Sequence, residues 1–468
     1  MDIRLSFLGA TRNVTGSRYL LETNGKQILI DCGLYQERQF KGRNWDPFPV
    51  PADKLDAVLL THAHLDHCGL LPKLVKEGFK GPIHCTKATA DIAQIVMNDS
   101  ARIQVEDIEH KKKRHARQKR KSPYPLAPLY TVENAEACAP LFRGTTYHKP
   151  VSICEGVTAT YYDTGHILGA SAIQVKVQQN GETRTILFSG DVGRWNKPIL
   201  QDPHVIEQAD YVLCESTYGD RIHPTGEDIK KSLCAIINET RDAGGNVIVP
   251  SFAVERSQEL LYYLNELLDE ECIPNLLAFL DSPMAVKVTE VFKKHPDLFD
   301  EETREHLRNN NSPFDLPGLS LVRTANQSKA INLIRGTAII IAGSGMCTGG
   351  RIKHHLVNNI TRPETTVLFV GYQAEGTLGR RIVEGEKEVR ILGENYPVRA
   401  RVAQIQGFSG HADRDELTQW LSHLKQAPRH LFVVHGEVNA AEHFAEHIKT
   451  EKGWETSVPK HNDTVTLD

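Results

Sequence analysis

The chain has 468 residues, of which 40% are hydrophobic and 24% charged, and its formal net charge is −4. This composition is typical of a globular protein of two or three domains and excludes a globally basic nucleic-acid binder. No apolar run approaches the ~20 residues that span a bilayer, and no secretory leader is visible, so we expect a cytoplasmic protein. The nine cysteines are scattered without a C-x-x-C pair, which favours neither a disulfide framework nor a thiolate zinc site.

The first part of the chain has the pattern of short strands. Apolar runs separated by turn residues predict strands at 3–8, 18–22 and 26–31. A buried strand at 56–60 precedes a histidine-rich loop and a helix over about 69–77. Further strands are predicted near 157–163, 172–178 and 184–189.

From about residue 210 strands and helices alternate. Apolar runs predict strands at 210–214, 246–250, 276–280, 337–342 and 366–371. Helical patterns lie between and after them at 226–243, 255–269, 283–295 and 350–360. This alternation predicts βαβ units with a mostly parallel sheet in a second domain. The tail returns to strand, loop and helix at 397–404, 413–425 and 429–434.

The most informative segment is Thr61-His62-Ala63-His64-Leu65-Asp66-His67, directly after a predicted strand. Side chains alternate along extended backbone, so His62 and His64 point the same way. Asp66 and His67 then lie at the turn into a helix and can face a second metal. Since one tetrahedral zinc takes about four ligands, this cluster begins two sites.

Other metal-ligand residue types follow apolar runs in the same way. They are His166, Asp191 and His435, and each has the alternative of being a turn or cap residue. Asp31 also ends a strand, where it could orient a ligand histidine or simply make a turn.

A glycine-rich stretch, Gly343-Ser344-Gly345-Met346-Cys347-Thr348-Gly349-Gly350, links a strand to a helix. Free backbone N–H groups of Ser344, Gly345 and Thr348 would favour a phosphate there, and a tight turn is the alternative. Arg351, and Arg380 with Arg381, could add backbone contacts or form surface ion pairs.

Residues 111–121 carry eight basic side chains. They form either a docking strip for phosphates or a solvated arm, and the phosphodiester-type site below favours the first.

These segments together resemble the β-CASP branch of the metallo-β-lactamase superfamily, nucleases that include bacterial RNase J and the endonuclease of eukaryotic pre-mRNA 3′-end processing. The resemblance covers essentially the whole chain. It rests on Asp31, the 62–67 cluster, His166, Asp191, Glu215 in Cys214-Glu215-Ser216-Thr217-Tyr218-Gly219, Gly407-Phe408-Ser409-Gly410-His411-Ala412-Asp413, and Val434-His435-Gly436-Glu437.

The resemblance implies an α/β fold, the αββα sandwich of the metallo-β-lactamases, interrupted by an inserted parallel-sheet β-CASP domain. The implied boundaries are 1–207 and 394–468 for the sandwich and 208–393 for the insert. The implied metal ligands are His62, His64 and His166 on one zinc, Asp66, His67 and His435 on the other, and Asp191 between them. The implied catalytic residues are His411, Glu215, Asp66 and Asp191, and Ser409 is assigned to substrate binding.

The resemblance implies a metal-dependent ribonuclease. Hydroxide held by two zinc ions, with manganese as the alternative metal, would attack phosphorus and leave a 5′-phosphate and a 3′-hydroxyl. His411, paired with Glu215, would protonate the leaving oxygen. In the family, a histidine at the last motif, here His435, accompanies RNA rather than DNA.

Three other functions compete with this prediction. The first is a small-substrate hydrolase of the same fold, which needs neither the insert nor the Glu215/His411 pair. The second is a DNA nuclease of the same branch, which conflicts with His435. The third is a scaffold without activity, which conflicts with the full set of metal ligands. Family members similar to RNase J carry a further C-terminal domain and archaeal members add KH modules. The chain length leaves room for neither, which favours an endonuclease over a 5′-exonuclease. We expect single-stranded RNA as partner and no membrane, and a homodimer is also compatible with the sequence.

Overall fold

A computed structural model describes residues 1–118, 124–224, 228–309, 312–334, 336–374 and 376–468. The chain divides into two compact units. The first, here the two-sheet unit, comprises Met1–Asn196, Gln201–Ile222 and His411–Asp468. The second, here the single-sheet unit, comprises Lys197–Leu200 and His223–Gly410. Within the described ranges no helix has the length and apolar character needed to cross a membrane.

Among the described residues, the amino-terminal part of the two-sheet unit holds eleven strands and four α-helices. The strands are β1 (Ile3–Gly9), β2 (Arg18–Thr23), β3 (Lys26–Ile30), β4 (Ala57–Leu59), β5 (Ile83–Thr86), β6 (Phe142–Thr145), β7 (Val151–Cys154), β8 (Val157–Asp163), β9 (Ser171–Gln179), β10 (Glu182–Phe188) and β11 (Tyr211–Cys214). The helices are α1 (Leu65–Cys68), α2 (Leu71–Lys76), α3 (Lys87–Gln118) and α4 (Val132–Glu136).

The single-sheet unit follows in the chain. Its strands are β12 (Val247–Pro250), β13 (Leu277–Asp281), β14 (Leu319–Leu321), β15 (Ala338–Ala342), β16 (Thr366–Val370), β17 (Glu388–Ile391), β18 (Glu394–Pro397) and β19 (Arg401–Ile405). Its helices are α5 (Ile229–Asp242), α6 (Arg256–Asp269), α7 (Pro283–Lys294), α8 (Glu301–Arg308), α9 (Ala325–Ile331), α10 (Ile352–Asn359) and α11 (Leu378–Val383). The chain then returns to the two-sheet unit through α12 (Arg414–Leu421), β20 (His430–Val433), α13 (Val438–Lys452), β21 (Thr456–Ser457) and β22 (Thr464–Leu467).

The two-sheet unit is a sandwich of two seven-stranded sheets, ordered β22-β1-β2-β3-β4-β5-β6 and β21-β20-β11-β10-β9-β8-β7. Apolar side chains of both sheets share one core, among them Phe7, Ile28, Phe188 and Phe432. On the outer face of the second sheet, α12 and α13 pack through residues such as Trp420. Helix α3 packs on β5 and β6 of the first sheet. The predicted αββα layering is therefore confirmed.

The single-sheet unit is built on a six-stranded sheet in the order β14-β13-β15-β12-β16-β19. Every pairing in it is parallel. Alternate side chains face opposite sides, as the two-residue period requires. Val249 and Ile341 face the core formed with α5 and α6, whereas Ile248 and Ile340 face the core formed with α10. The predicted parallel sheet is confirmed.

The unit boundaries fall later in the chain than the sequence boundaries of 208 and 393. Strand β11 stays in the two-sheet unit because it pairs in parallel with β10, Ile186 lying opposite Tyr211. Strand β19 belongs to the single-sheet unit because it pairs with β16, Thr366 lying opposite Arg401. Apolar periodicity identifies a strand but not the sheet that it joins.

Cysteine pairing also differs from the sequence expectation. Cys234 on α5 and Cys272 after α6 form a disulfide, with their Cα atoms 6.1 Å apart. One pair is not the disulfide framework that the scattered spacing argues against, and the sequence did not predict it, because residue spacing cannot reveal which helices pack side by side.

Candidate metal centre

The histidine-rich loop runs from the end of β4 into α1, as the sequence predicts. His62 and His67 are buried, with 0% and 1% of their surface exposed. His62 Nε2 lies 3.2 Å from His64 Nδ1, so the two rings converge. The loop leaves a buried strand and enters a short helix, and this change of direction gathers several side chains at one point.

A first group of ligand atoms forms around His64. His166, just after β8, places Nε2 3.2 Å from His64 Nδ1. Asp191, after β10, places Oδ2 3.3 Å from His62 Nε2 and 3.4 Å from His166 Nε2. One ligand atom from each of these four residues lies within 4.8 Å of the others.

A second group forms beside the first. His67 Nε2 lies 3.0 Å from His435 Nε2, and His435 Nε2 lies 3.6 Å from Asp66 Oδ2. Asp191 reaches this group with its other oxygen, since Oδ1 lies 3.3 Å from His67 Nε2. The two oxygens of one carboxylate therefore face two separate histidine groups.

The donor atoms of both groups fit divalent cations. Asp191 Oδ1 is buried and has no hydrogen-bond donor among the described residues. Burial lowers the pKa of His62 and of His166, and it lowers the pKa of His64 to about 3. These imidazoles are therefore neutral, which is the form that binds metal. Adjacent imidazoles and carboxylates with converging lone pairs are chemically suited to transition-metal ions.

The second group has a different charge balance. Burial lowers the pKa of His67, but the carboxylates of Asp191 and Asp31 outweigh burial and the pKa is raised. His435 behaves likewise, with Asp191 and Asp66 outweighing burial and raising its pKa. The two carboxylates of Asp66 and Asp191 supply the negative charge that a cation would neutralise.

Asp31 contacts the ligand set directly, which favours the orienting role over a simple turn. Its Oδ2 lies 2.7 Å from His67 Nδ1, which leaves His67 Nε2 facing the second group. Thr61 donates its backbone N–H to Asp31 Oδ1 at 2.8 Å, and its hydroxyl lies 3.0 Å from both carboxylate oxygens. Asp31 has a left-handed φ of 58°, a strained conformation for a non-glycine residue of the kind found at functional sites.

His411 and Glu215 form a pair at the edge of the metal centre. His411 Nδ1 lies 3.1 Å and 3.2 Å from the two carboxylate oxygens of Glu215. Glu215 is fully buried and accepts the Val192 N–H at 2.7 Å. Burial lowers the pKa of His411, but the Glu215 carboxylate more than offsets it and the pKa rises to about 9. The ring centroid of His411 lies 4.5 Å from that of His166.

Two threonines contact the ligands without having been predicted. Thr61 Oγ1 lies 3.1 Å from His62 Nδ1, in addition to its contacts with Asp31. Thr217 Oγ1 lies 3.2 Å from His435 Nδ1 and 3.2 Å from the His435 carbonyl oxygen. Their hydroxyls therefore orient two ligand rings. In the sequence, the only signal for these two threonines was that Thr61 precedes His62 and that Thr217 follows two residues after Glu215.

The predicted substrate-binding residues lie in the single-sheet unit, where most already have protein partners. Ser344 Oγ accepts the N–H groups of Thr348 at 3.0 Å and Gly349 at 3.3 Å, so these amides close the loop on itself. Arg351 donates to Asp281 Oδ1 at 2.6 Å and to two backbone carbonyls. Arg380 donates to Glu384 Oε1 at 2.7 Å, the predicted ion-pair alternative.

Three further predicted residues complete this account. Gly345 lies in the same loop, and Ser409 lies between β19 and α12, half-buried. Arg381 pairs with Glu386 at 2.6 Å. The basic stretch 111–121 begins on α3, but residues 119–121 lie outside the described residues, and the side chains from 113 onward are not described either. Its docking role stays a prediction.

The fold and the metal-binding geometry define the class of this chain: it is a metallo-hydrolase of the metallo-β-lactamase type. Family models match the metallo-beta-lactamase superfamily over residues 12–154, the Beta-Casp domain over 257–382, and the Zn-dependent metallo-hydrolase RNA specificity domain over 395–459. With the relatives described next, these matches show that the chain belongs to the β-CASP family of that superfamily.

Several characterised relatives align over nearly the whole chain. Ribonuclease TTHA0252 of Thermus thermophilus is 38% identical over 435 residues, covering 93% of each chain. Transcription termination factor FttA of Methanocaldococcus jannaschii is 31% identical over 476 residues, covering 99% of this chain and 72% of that protein. A crystal structure of a protein of unknown function from Enterococcus faecalis V583 superimposes with a TM-score of 0.59 at 12% identity, covering 100% of both chains. That likeness supports the fold alone.

Proposed function

We propose that this chain is a ribonuclease that hydrolyses RNA phosphodiester bonds with two zinc ions. The observation that carries the proposal is the Asp191 carboxylate, whose two oxygens face two histidine groups beside the His411–Glu215 pair. RNA as substrate is supported by the relative that is a ribonuclease and by the match to an RNA specificity domain.

The ligand residues have distinct tasks in this proposal. His62, His64 and His166 would hold one cation, Asp66, His67 and His435 the other, and Asp191 both. When bound, the cations supply water activation and neutralise charge on the phosphate, the two functions of paired metal ions in phosphodiester hydrolysis. Asp31 and Thr217 contact the Nδ1 atoms of His67 and His435, so that Nε2 of each ring would be the atom that binds a cation.

His411 would act as the general acid. Its Nδ1 is held by the Glu215 carboxylate, so Nε2 is the atom that gives a proton to the leaving 3′-oxygen. Because Glu215 raises the His411 pKa to about 9, the ring carries this proton at neutral pH. The products would then be a 5′-phosphate and a 3′-hydroxyl. The proposal also includes cleavage at internal positions of the RNA, the mode that the sequence analysis favours over cleavage from the 5′ end.

A substrate comparison tests the proposal. Purified protein is incubated with end-labelled linear RNA, circular RNA of the same sequence and matched DNA, with and without chelator, and bound metal is quantified by elemental analysis. We expect both RNAs to be cut in a chelator-sensitive reaction, and about two zinc ions per chain. Cleavage of linear RNA alone would refute the internal mode, and preferential cleavage of DNA would refute the substrate.

A further inference from the structure

The carboxyl edge of the single-sheet unit exposes two aromatic rings. Phe252 follows β12 and Tyr372 follows β16, and these strands are neighbours in the sheet. The two residues are 42% and 45% exposed. Within the described part of the chain, the only other exposed phenylalanine, tyrosine or tryptophan is Tyr124, at 39%. Ligands of open α/β sheets bind at this edge, outside the carboxyl ends of the strands.

The backbone that carries the rings is anchored at one glycine. A Cβ atom added at Gly345 would lie 2.6 Å from Phe252 Cδ2, so the Phe252 ring packs directly on the glycine backbone. Gln373, next to Tyr372 and 4% exposed, donates its side-chain N–H to the Gly345 carbonyl at 3.0 Å. Both aromatics are thus tied to Gly345, one through its ring and the other through its neighbour.

The surroundings of the rings leave their surfaces open. The Phe252 carbonyl accepts hydrogen bonds from Ser257 Oγ at 2.7 Å and Ser251 Oγ at 3.1 Å, which fix the turn that presents the ring. Among the described residues, and apart from its two chain neighbours, no atom lies within 4 Å of the position where a Cβ of Gly371 would be. Both rings are exposed and are carried by ordered backbone, so a flat ligand can reach them and little entropy is lost on binding.

The glycine loop and α10 offer limited positive charge to a polyanion. Residues 343–359 contain Arg351 and Lys353 and no acidic residue, but Arg351 is paired with the Asp281 carboxylate at the end of β13, so the positive charge that this segment offers is that of Lys353. The Ser344 contacts with the loop amides reduce the polar groups that the loop offers a ligand. Aromatic faces beside positive charge are the usual combination in single-strand binding sites, where bases stack and the backbone is attracted electrostatically.

We propose that Phe252 and Tyr372 form a platform on which bases of single-stranded RNA stack. The proposal rests on the proposed ribonuclease function, because it names the part of that substrate which the single-sheet unit would hold. It differs from the predicted phosphate contacts of the glycine loop, since the bases rather than the phosphates are bound. Base stacking on aromatic rings depends little on the RNA sequence, so the platform would bind RNA without selecting a sequence motif.

The test compares base-containing and abasic RNA. Phe252→Leu and Tyr372→Leu remove the flat ring but keep an apolar side chain, and Phe252→Tyr and Tyr372→Phe keep the ring. Leu277→Ala is the matched control, because Leu277 is 45% exposed at the opposite edge of the same sheet. All are made in a His411→Ala background with verified metal content, so that RNA is not consumed. Affinity for a labelled single-stranded oligoribonucleotide and its abasic counterpart is measured by fluorescence anisotropy.

We expect each leucine variant to bind the base-containing RNA about ten-fold more weakly, and the abasic RNA as tightly as the parent does. The ring-keeping variants and Leu277→Ala should match the parent with both RNAs. Leucine variants that bind both RNAs like the parent, or that weaken equally on both, would overturn the proposal. A dimer in sedimentation velocity that dissociates on Phe252→Leu would assign the edge to a second copy and also overturn it.

Failure of the platform is distinguishable from failure of the proposed function. If the unsubstituted protein cleaves RNA and the leucine variants bind RNA normally, only the platform is refuted. If the unsubstituted protein neither binds nor cleaves RNA, the ribonuclease proposal is refuted, and the platform proposal is refuted with it.

Discussion

Replacing Glu215 with Gln should shift the pH dependence of cleavage rather than remove the metal centre. Glutamine has nearly the same shape and can still accept the Val192 N–H, which now reaches Glu215 Oε1 at 2.7 Å. The substitution removes the negative charge that holds His411 in its protonated form. The variant therefore isolates the electrostatic part of the pair from its packing.

The magnitude follows from the pKa of His411, which is about 9 with Glu215 in place. Without the carboxylate charge, the pKa should fall to about the ordinary imidazole value of 6.5 or below, because burial disfavours the charged ring. Near about pH 7.5 the protonated fraction then drops from nearly complete to roughly one tenth, an approximately ten-fold loss of rate. Because His411 acts in its protonated form, cleavage is fully active below the His411 pKa and is lost as pH rises through it. The basic limb of the pH–rate profile should therefore move to lower pH in Glu215→Gln.

Single-turnover cleavage of end-labelled RNA across the pH range is the assay, with zinc measured at each pH. His411→Ala is the control, because it should remove the basic limb and slow cleavage by about 10²–10⁴-fold while the metal is retained. A Glu215→Gln enzyme whose basic limb stays near that of the parent would refute the reasoning. Loss of zinc in either variant would show that the pair holds metal instead.

The remaining predictions concern metal binding and stability. Asp191→Ala should lower bound metal below two ions per chain and abolish turnover; near-normal activity with full metal would contradict the shared carboxylate. Thr217→Val should weaken metal affinity by about 10–100-fold, measured in competition with a chromophoric chelator, because the hydroxyl orients His435. Thr217→Ser keeps the hydroxyl and should bind metal about as tightly as the parent. Equal metal affinities of Thr217→Val and the parent would show that the hydroxyl has no such role. Cys234→Ser should lower the melting temperature in oxidising buffer by an amount equivalent to about 2–4 kcal/mol of unfolding free energy. Adding reductant should lower the melting temperature of the parent to that of the variant. A parent melting temperature that reductant does not change would show that Cys234 and Cys272 are not paired.

The sequence could name residues that the structure brings together at the candidate metal centre because the signals for them are local. Three histidines and an aspartate within 62–67 are improbable on a solvated loop, and strands deliver His166 and Asp191 to one edge. Thr61 and Thr217 were missed because a hydroxyl becomes an orienting group only through the rings that the fold places beside it. The role of Arg351 was uncertain for the same reason, since its partner Asp281 is distant in sequence.

Helical and strand periodicity located most elements but not their neighbours. Helix α3 was not predicted although it spans 32 residues, because its last part, residues 109–118, is almost entirely charged or polar and obscures the apolar spacing of the part before it. Strands β11 and β19 were predicted near their positions, yet their sheets were not, because register depends on contacts across the fold.

The pairing of the first and last strands has a consequence for synthesis of the protein. β22 is hydrogen-bonded to β1, with Ile3 opposite Leu467, and His435 follows β20. A ribosome-bound chain that has not reached this region holds the ligand atoms around His64 but lacks the histidine that completes the second group. Under the proposed function, a nascent polypeptide that does not yet include His435 lacks a metal ligand, so competence to degrade RNA begins only after β20 and the residues that follow it have been synthesised.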